Sequence, residues 1–296
     1  MTDNSELKHS ADASFLKSVP AVTPLNQATS DAILQEAIQH ARAGNWDAAI
    51  SACRRVIALI PDPIQAHLLM ADIMLPGEGY LALIRRIHEH LHPRTYVEIG
   101  VERGESLTLV REGTLALGVD PAPQIVHPLQ PTTKVFAETS DNFFAKRNLS
   151  IELAGKPIDL AFIDGMHQFE FALRDFINIE CYCTPDSTIL IHDCYPLDEA
   201  TAARKRTTFF WSGDIWKLTL CLKEYRPDLA VYTIATPPTG LGLVRNLDPH
   251  STVLRDNLQR IYDEFIPLPY DTIVKHKPQL LNLFPNTWPQ VQTLLE

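Results

Sequence analysis

The chain has 296 residues, 45% of them hydrophobic, and a formal net charge of −10. That is enough apolar material for one large domain with appendages, yet no apolar run approaches the ~20 residues that span a bilayer. The negative balance argues against a nonspecific nucleic-acid binder, which needs clustered Lys and Arg, and the short Arg-Lys-Arg run at 204–206 reads as a solvated loop.

The first residues, MTDNSELKHSADASFLK, lack a basic start followed by an apolar block, so no secretory signal is expected. Cys53, Cys181, Cys183, Cys194 and Cys221 form an odd set, which points to reduced thiols in a cytoplasm. Residues 1–29 are polar and read as a mobile arm. From Asp31 a helical stripe runs through Leu34, Ala37, Ile38 and Ala41 and breaks at Gly44. A second stripe, Trp46, Ala49, Ile50, Cys53, Val56, Ile57 and Ile60, stops before Pro61, and a third helix over 64–75 ends at Pro76 and Gly77. Gly44, Trp46, Ala49 and Pro61 fall at the offsets of a tetratricopeptide repeat, which the segment 30–78 resembles, although Val56 stands where that family prefers Ala. One such repeat cannot bury both its faces. The unit must therefore lean on the rest of the chain or on a second subunit, which suggests docking or homodimerisation.

A linking helix at 80–91 closes at Pro93, and strands then alternate with helices. Strands are expected at 95–99, 115–119, 134–138, 158–163, 188–192, 230–235 and 241–245, with helices at 106–112, 141–147, 169–181 and 214–224. This alternation predicts an α/β domain over 79–248, a Rossmann-like, seven-stranded, mainly parallel sheet with helices on both faces. A short Pro-Pro-Thr-Gly turn makes the last two strands a hairpin. The extension 249–296 reads as helical and irregular, packing over the domain or bridging subunits.

Ligands of open α/β sheets sit at the carboxyl ends of the strands. The first strand ends in Glu98-Ile-Gly100-Val-Glu-Arg-Gly104-Glu-Ser106, which lacks the glycine spacing of a dinucleotide site. Pyrophosphate beside Glu98, Glu102 and Glu105 would be repelled. A sulfonium-bearing amino acid would not, and its own carboxylate can rest on the N–H groups that open the next helix; that ligand is S-adenosylmethionine. Asp120 closes the second strand 22 residues after Glu98 and can accept ribose hydroxyls; alone, an Asp before Pro is as often a turn residue. Ser140 and Asp141 either border the adenine or cap a helix. After the fourth strand, Asp164 can hold the methionine ammonium or a metal. His167 beside it can accept a hydroxyl proton near neutrality, or else cap the following helix. His192 and Asp193 close the fifth strand, so Asp164, His192 and Asp193 can ligate a divalent cation such as Mg2+. Equally, His192 can point into the core and Asp193 can simply orient His167.

The pieces VEIGVERGESL, the acid of GVDP, FIDGMHQFEFALRDF, ILIHDCYP, WSGDIWKL and TPPTGLGLV together resemble class I S-adenosylmethionine-dependent methyltransferases, most closely methyltransferase family 24. The resemblance implies S-adenosylmethionine as methyl donor, with Glu98, Gly100, Gly104, Ser106 and Asp120 at cofactor positions. More distantly, the chain is similar to magnesium-dependent sugar O-methyltransferases, whose proposed catalytic Asp falls at Met166 here; that departure moves the base role to His167. The resemblance also places Trp211 and Trp216 on a substrate-facing loop with Tyr195 beside the site, although each is equally readable as a core residue and at least one of the two tryptophans is expected to pack. The expected function is methylation of a hydroxyl on a small-molecule or glycan acceptor, with no nucleic acid and no membrane as partner. N-methylation and a noncatalytic cofactor sensor remain the alternatives.

Overall fold

The structure, a computed structural model, describes residues 23–296. Most of the expected N-terminal arm, residues 1–22, lies outside them. Helix begins earlier than the periodicity implies: Pro24 sits at the first helical position of α1 (Pro24–Arg42), whose N-cap Thr23 accepts the Asn26 amide proton. Gly44, at φ +74°, reverses the chain into α2 (Trp46–Leu59). Buried Ala37, Ala49 and Ala52 are small enough to bring α1 and α2 close, and α3 (Ile64–Met74) packs beside them through Ala66, Met70 and Ala71. Trp46, placed by its spacing on the apolar stripe, is instead 54% exposed. Helix α4 (Tyr80–Leu91) leads into the sheet.

The sheet is α/β, Rossmann-like and mainly parallel. Its strands are β1 (Thr95–Ile99), β2 (Leu115–Asp120), β3 (Thr133–Ala137), β4 (Ile158–Ile163), β5 (Cys183–Ile191), β6 (Ala230–Ile234), β7 (Leu241–Arg245) and β8 (Leu283–Phe284), in the order β3-β2-β1-β4-β5-β7-β6-β8. Seven strands were expected. The eighth is two residues from the C-terminal extension, paired in parallel with Thr233 and Ile234, and is too short to leave a periodic signal. β7 runs antiparallel to both β5 and β6. One face is covered by α5 (Ser140–Lys146), α6 (Leu149–Glu152), α7 (Phe169–Glu180) and α8 (Trp216–Tyr225). After β7 come α9 (Val253–Asp256), α10 (Leu258–Phe265), α11 (Asp271–Val274), α12 (Lys277–Leu280) and α13 (Trp288–Thr293). α10 joins the first face, and α4 and α13 cover the other.

The chain winds outward from β1 to β3, then returns to β4 on the opposite side of β1. Connections after β1 and β4 therefore leave in opposite directions, and a crevice opens between the two strand ends. Among the described residues no helix is long and apolar enough to cross a membrane, and all five cysteines are free.

Candidate active site

The loop after β1 forms the crevice floor. Gly100 lies at φ +86°, and a Cβ there would collide with the carbonyl oxygen of Asp164 on the neighbouring strand end. Asp120 fixes the next two residues: its Oδ2 accepts from the Val101 amide at 3.0 Å and the Glu102 amide at 2.9 Å. Its Oδ1 accepts the Ala122 amide at 2.7 Å and keeps one further lone pair for a ligand hydroxyl. Gly104 turns the loop at φ +83° but lies outside the crevice lining. The helix expected at 106–112 is a single 3-10 turn, Leu107–Leu109, too short for a row of free amides to hold a carboxylate.

Glu98 is corrected most sharply. Strand alternation puts it on the same face as Tyr96, and both are fully buried. Its carboxyl accepts from the Tyr96 hydroxyl at 2.6 Å and the Ser106 hydroxyl at 2.8 Å, beneath the loop rather than in the crevice. Burial pushes its pKa from 4.5 up to about 8; the two hydroxyl donors draw it down less than burial raises it, and Asp164 and Asp120 add to the rise. An acid with a raised folded pKa takes up protons on folding, so stability falls as pH rises from about 4.5 toward 8. Thermal unfolding between pH 5 and 9 should therefore show Glu98→Gln gaining on the wild type by roughly 2–4 kcal/mol toward alkaline pH. Parallel pH curves would show that Glu98 stays ionised.

The crevice encloses about 1590 Å3. Gly100, Glu102, Ser106, Asp120, Ser140, Asp141 and Asp164 all line it, as does the exposed Met166. The cap of α5 is Thr139, which accepts the Asn142 amide, leaving Ser140 and Asp141 in the first helical turn; Asp141 also pairs with Arg174 at 2.7 Å. A carboxylate the sequence reading missed faces the same space: Asp175, 3% exposed, has no hydrogen-bond partner for Oδ1. Burial pushes its pKa up to about 7, and Ser140 draws it partly down. The available signal was an acid between Ala172 and Ile179, both buried on the face that α7 turns to the sheet.

At the ends of β4 and β5 the backbone turns left-handed at His167 (φ +49°) and Asp193 (φ +63°), a strain that clusters at functional sites. His167 does not cap α7; the first amide of that helix, Phe169, donates to Asp214 Oδ1 at 2.8 Å instead. The His167 ring stacks on Trp211 with centroids 5.2 Å apart. Its Nδ1 is 2.9 Å from Asp193 Oδ2 and 3.3 Å from the Trp211 carbonyl, and its Nε2 is 3.5 Å from Asp164 Oδ1. Asp193 acts on the ring chiefly through its charge, with the short Nδ1–Oδ2 contact adding to it. Burial alone would lower the His167 pKa, but Asp193 and Asp164 outweigh it and hold it well above the usual value. Conversely, burial would raise Asp164, and the His192 and His167 rings together hold it low.

The expected cation set was Asp164, His192 and Asp193. Among the described residues the donors that converge are Asp164, His167 and Asp193, within 4.8 Å of one another. His192 brings Nδ1 to Asp164 at 3.1 Å and to Asp193 at 3.6 Å, and its ring lies tilted against Tyr80 with centroids 4.2 Å apart. It lines two small cavities next to His167, of about 30 and 10 Å3, rather than the crevice itself, and its Nε2 has no protein partner.

The segment between β5 and α8 divides the expected substrate aromatics. Trp211 lines both cavities, whereas Trp216 is 1% exposed in the core. Tyr195 is also core, its amide donating to Thr239 O at 2.7 Å and its ring lying 4.6 Å from Lys277 Nζ. The N-terminal helices brace this segment. Asp62 Oδ1 accepts the Phe209 amide at 2.6 Å, and buried His67 on α3 meets Asp198 at 3.1 Å and stacks on Phe210. His67→Ala should leave Asp198 Oδ2 without its partner, while Oδ1 still accepts the Thr201 amide, at a cost of about 1–3 kcal/mol. Hydrogen exchange over 198–211 should then accelerate about tenfold with cofactor affinity unchanged; unaltered exchange would rule out the brace.

Among solved structures the chain is similar to the cofactor-bound protein Rv0187 from MTB (15% identity, 67% of this chain and 96% of the other, TM-score 0.45). It is also similar to an O-methyltransferase from Bacillus cereus in complex with SAH (13%, 76% and 98%, 0.42) and to TomG from Streptomyces achromogenes, an O-methyltransferase of tomaymycin synthesis in complex with SAM (13%, 67% and 96%, 0.44). No curated protein matches the sequence. Residues 97–194, about a third of the chain and the part that carries β1, β4 and β5 with the crevice between them, match the family model of a methyltransferase domain.

Proposed function

We propose that the protein is an S-adenosylmethionine-dependent methyltransferase acting on a hydroxyl oxygen of a small-molecule or sugar acceptor. The observation that carries this reading is His167, held between Asp164 and Asp193 at the edge of an acidic crevice on the β1/β4 strand ends. The methyltransferase-domain match over the same residues supports it. The residues fit the donor: Asp175 Oδ1 is a buried carboxylate oxygen without a partner, facing a cleft whose acids suit an ammonium and a sulfonium.

The donor supplies a methyl group on a sulfonium leaving group, already activated, so the protein's task is alignment and removal of one proton. Asp120 and Asp164 both face the crevice, where the first would accept the ribose hydroxyls and the second the amino group. As the acceptor oxygen bonds to the methyl carbon, the S–C electron pair returns to sulfur and the hydroxyl proton passes to His167. Asp193 stabilises the imidazolium that results.

A second reading rests on the convergence of Asp164, His167 and Asp193. Two carboxylates and an imidazole suit a transition-metal cation better than Mg2+, which prefers oxygen alone. A cation there would hold the acceptor oxygen and lower its pKa. The two roles of His167 exclude each other, because both need its lone pair. Calorimetry with S-adenosylhomocysteine, with and without EDTA and added divalent metal, separates them. Micromolar or tighter binding with metal-independent turnover is expected; metal-dependent turnover would transfer the role to the cation, and no binding would overturn the methyltransferase reading. Homodimerisation through the tetratricopeptide-like helices or the C-terminal extension belongs to the same proposal, and sedimentation at micromolar concentration tests it.

A further inference from the structure

We infer that Asp175 reads the base of the methyl donor, its Oδ1 accepting a hydrogen bond from the exocyclic amino group of adenine. This rests on the methyltransferase reading of the site, which gives the ribose to Asp120 and the amino group to Asp164 and leaves the base without a hydrogen-bond partner.

Sheet topology brings the residues together. α5 follows β3, α7 follows β4, and both pack on the same face, so their first turns stand at the ends of those strands. Ser140 and Asp141 line the crevice from α5, and Phe171 and Asp175, one turn apart, line it from α7. Arg174 ties the two helices. Its guanidinium donates to both oxygens of Asp141, at 2.9 and 2.7 Å, and lies 4.4 Å from the Phe171 ring centre. Asp141, which the sequence offered as a border for adenine, is therefore already engaged. The Asp175 carboxyl leans on Ser140, and its buried Oδ1 is left without a partner.

A buried acceptor left open is a cost that a fold carries where a ligand meets it. What meets a carboxylate oxygen has to be a hydrogen-bond donor or a cation. Burial pushes the Asp175 pKa up to about 7, and a carboxyl so reluctant to ionise suits a neutral amine better than a sulfonium. With the ribose hydroxyls and the ammonium assigned elsewhere, the adenine amine is the group that remains. Phe171 places an apolar ring on the same helix face, beside which a flat base can pack. The arrangement also selects against hypoxanthine. That base carries a carbonyl oxygen where adenine carries its amine, and it would meet an ionised Asp175 oxygen to oxygen.

The test is calorimetry on the full chain with S-adenosylhomocysteine and S-inosylhomocysteine, at a pH well above about 7, where Asp175 is ionised and only accepts. The adenine compound should bind about tenfold or more tighter, a difference of about 1.4 kcal/mol. Asp175→Asn should bind the two within about threefold of each other, because a carboxamide turns its oxygen to an amine or its nitrogen to a carbonyl. Asp175→Leu should weaken S-adenosylhomocysteine by about tenfold or more. Neither variant should melt below the wild type, since each removes a buried acid with an unpaired oxygen. A residue that serves only the fold gives the opposite pattern, a lower Tm with the preference for adenine intact. That pattern, equal affinities in the wild type, or a preference that survives Asp175→Asn would overturn the inference. Failure of both compounds to bind the wild type would instead overturn the methyltransferase reading.

Discussion

His167→Ala is expected to lower kcat by roughly 10²–10⁴-fold while S-adenosylhomocysteine binds as before. The ring contributes a lone pair for the proton and lies among Asp193, Asp164 and the Trp211 carbonyl, so its loss removes the base and leaves the crevice floor intact. The accompanying pH profile has a definite sign. Asp193 and Asp164 raise the His167 pKa against the effect of burial, so the ring holds its proton to higher pH than an ordinary histidine and becomes a base only beyond that. The rate should therefore climb through a pH above the ordinary histidine value of 6.5. Asp193→Asn removes one of the two stabilising charges and should move that limb toward lower pH while reducing the plateau. A full rate with His167→Ala would take the proton transfer away from His167, absence of turnover in the wild type as well would indicate the noncatalytic sensor, and a limb that ignores Asp193→Asn would assign the titration to another group.

Gly100→Ala should have the largest effect on stability. The residue lies at φ +86°, where a side chain costs about 1–2 kcal/mol. Its added methyl would also strike the Asp164 carbonyl, which the β1–β4 pairing cannot move without opening the sheet at the switch point. Together these predict a loss of about 2–5 kcal/mol, a fall in Tm of roughly 5–15 °C, and weakened cofactor binding. Gly113→Ala separates the two causes. Gly113 has the same φ of +86° but nothing within 4 Å of the added Cβ, so only the conformational cost remains. Equal melting temperatures for the two variants would show that the contact with Asp164 relaxes freely.

Much of the scaffold was legible because its signals are local. Strands β1, β4 and β7 begin and end where the apolar runs do, since a strand buried on both faces has to be apolar along its length. The left-handed turn at Gly100 was readable for the same reason, as only glycine enters it freely. The 3-10 turn after β1 was not readable. Ser106 to Leu109 has a helical pattern, but the Ser106 hydroxyl is spent on Glu98, and the chain leaves the turn at Val110.

By itself, the sequence determined which residues stand at the strand ends, and hence that Gly100, Asp120, Asp164, His167 and Asp193 share one edge of the sheet. Tertiary structure decided which way each side chain faces. Strand alternation buried Glu98 under Tyr96, and both imidazoles reach the aspartates, His192 from the buried side against Tyr80 and His167 from the crevice. Trp211 went to the site and Trp216 to the core, and Lys205 and Arg206 arrived on a segment braced by His67, well over a hundred residues away in the chain. Composition and periodicity report on neighbours a few residues apart, whereas the direction of a side chain at a strand end is set by the elements packed against it from distant parts of the chain.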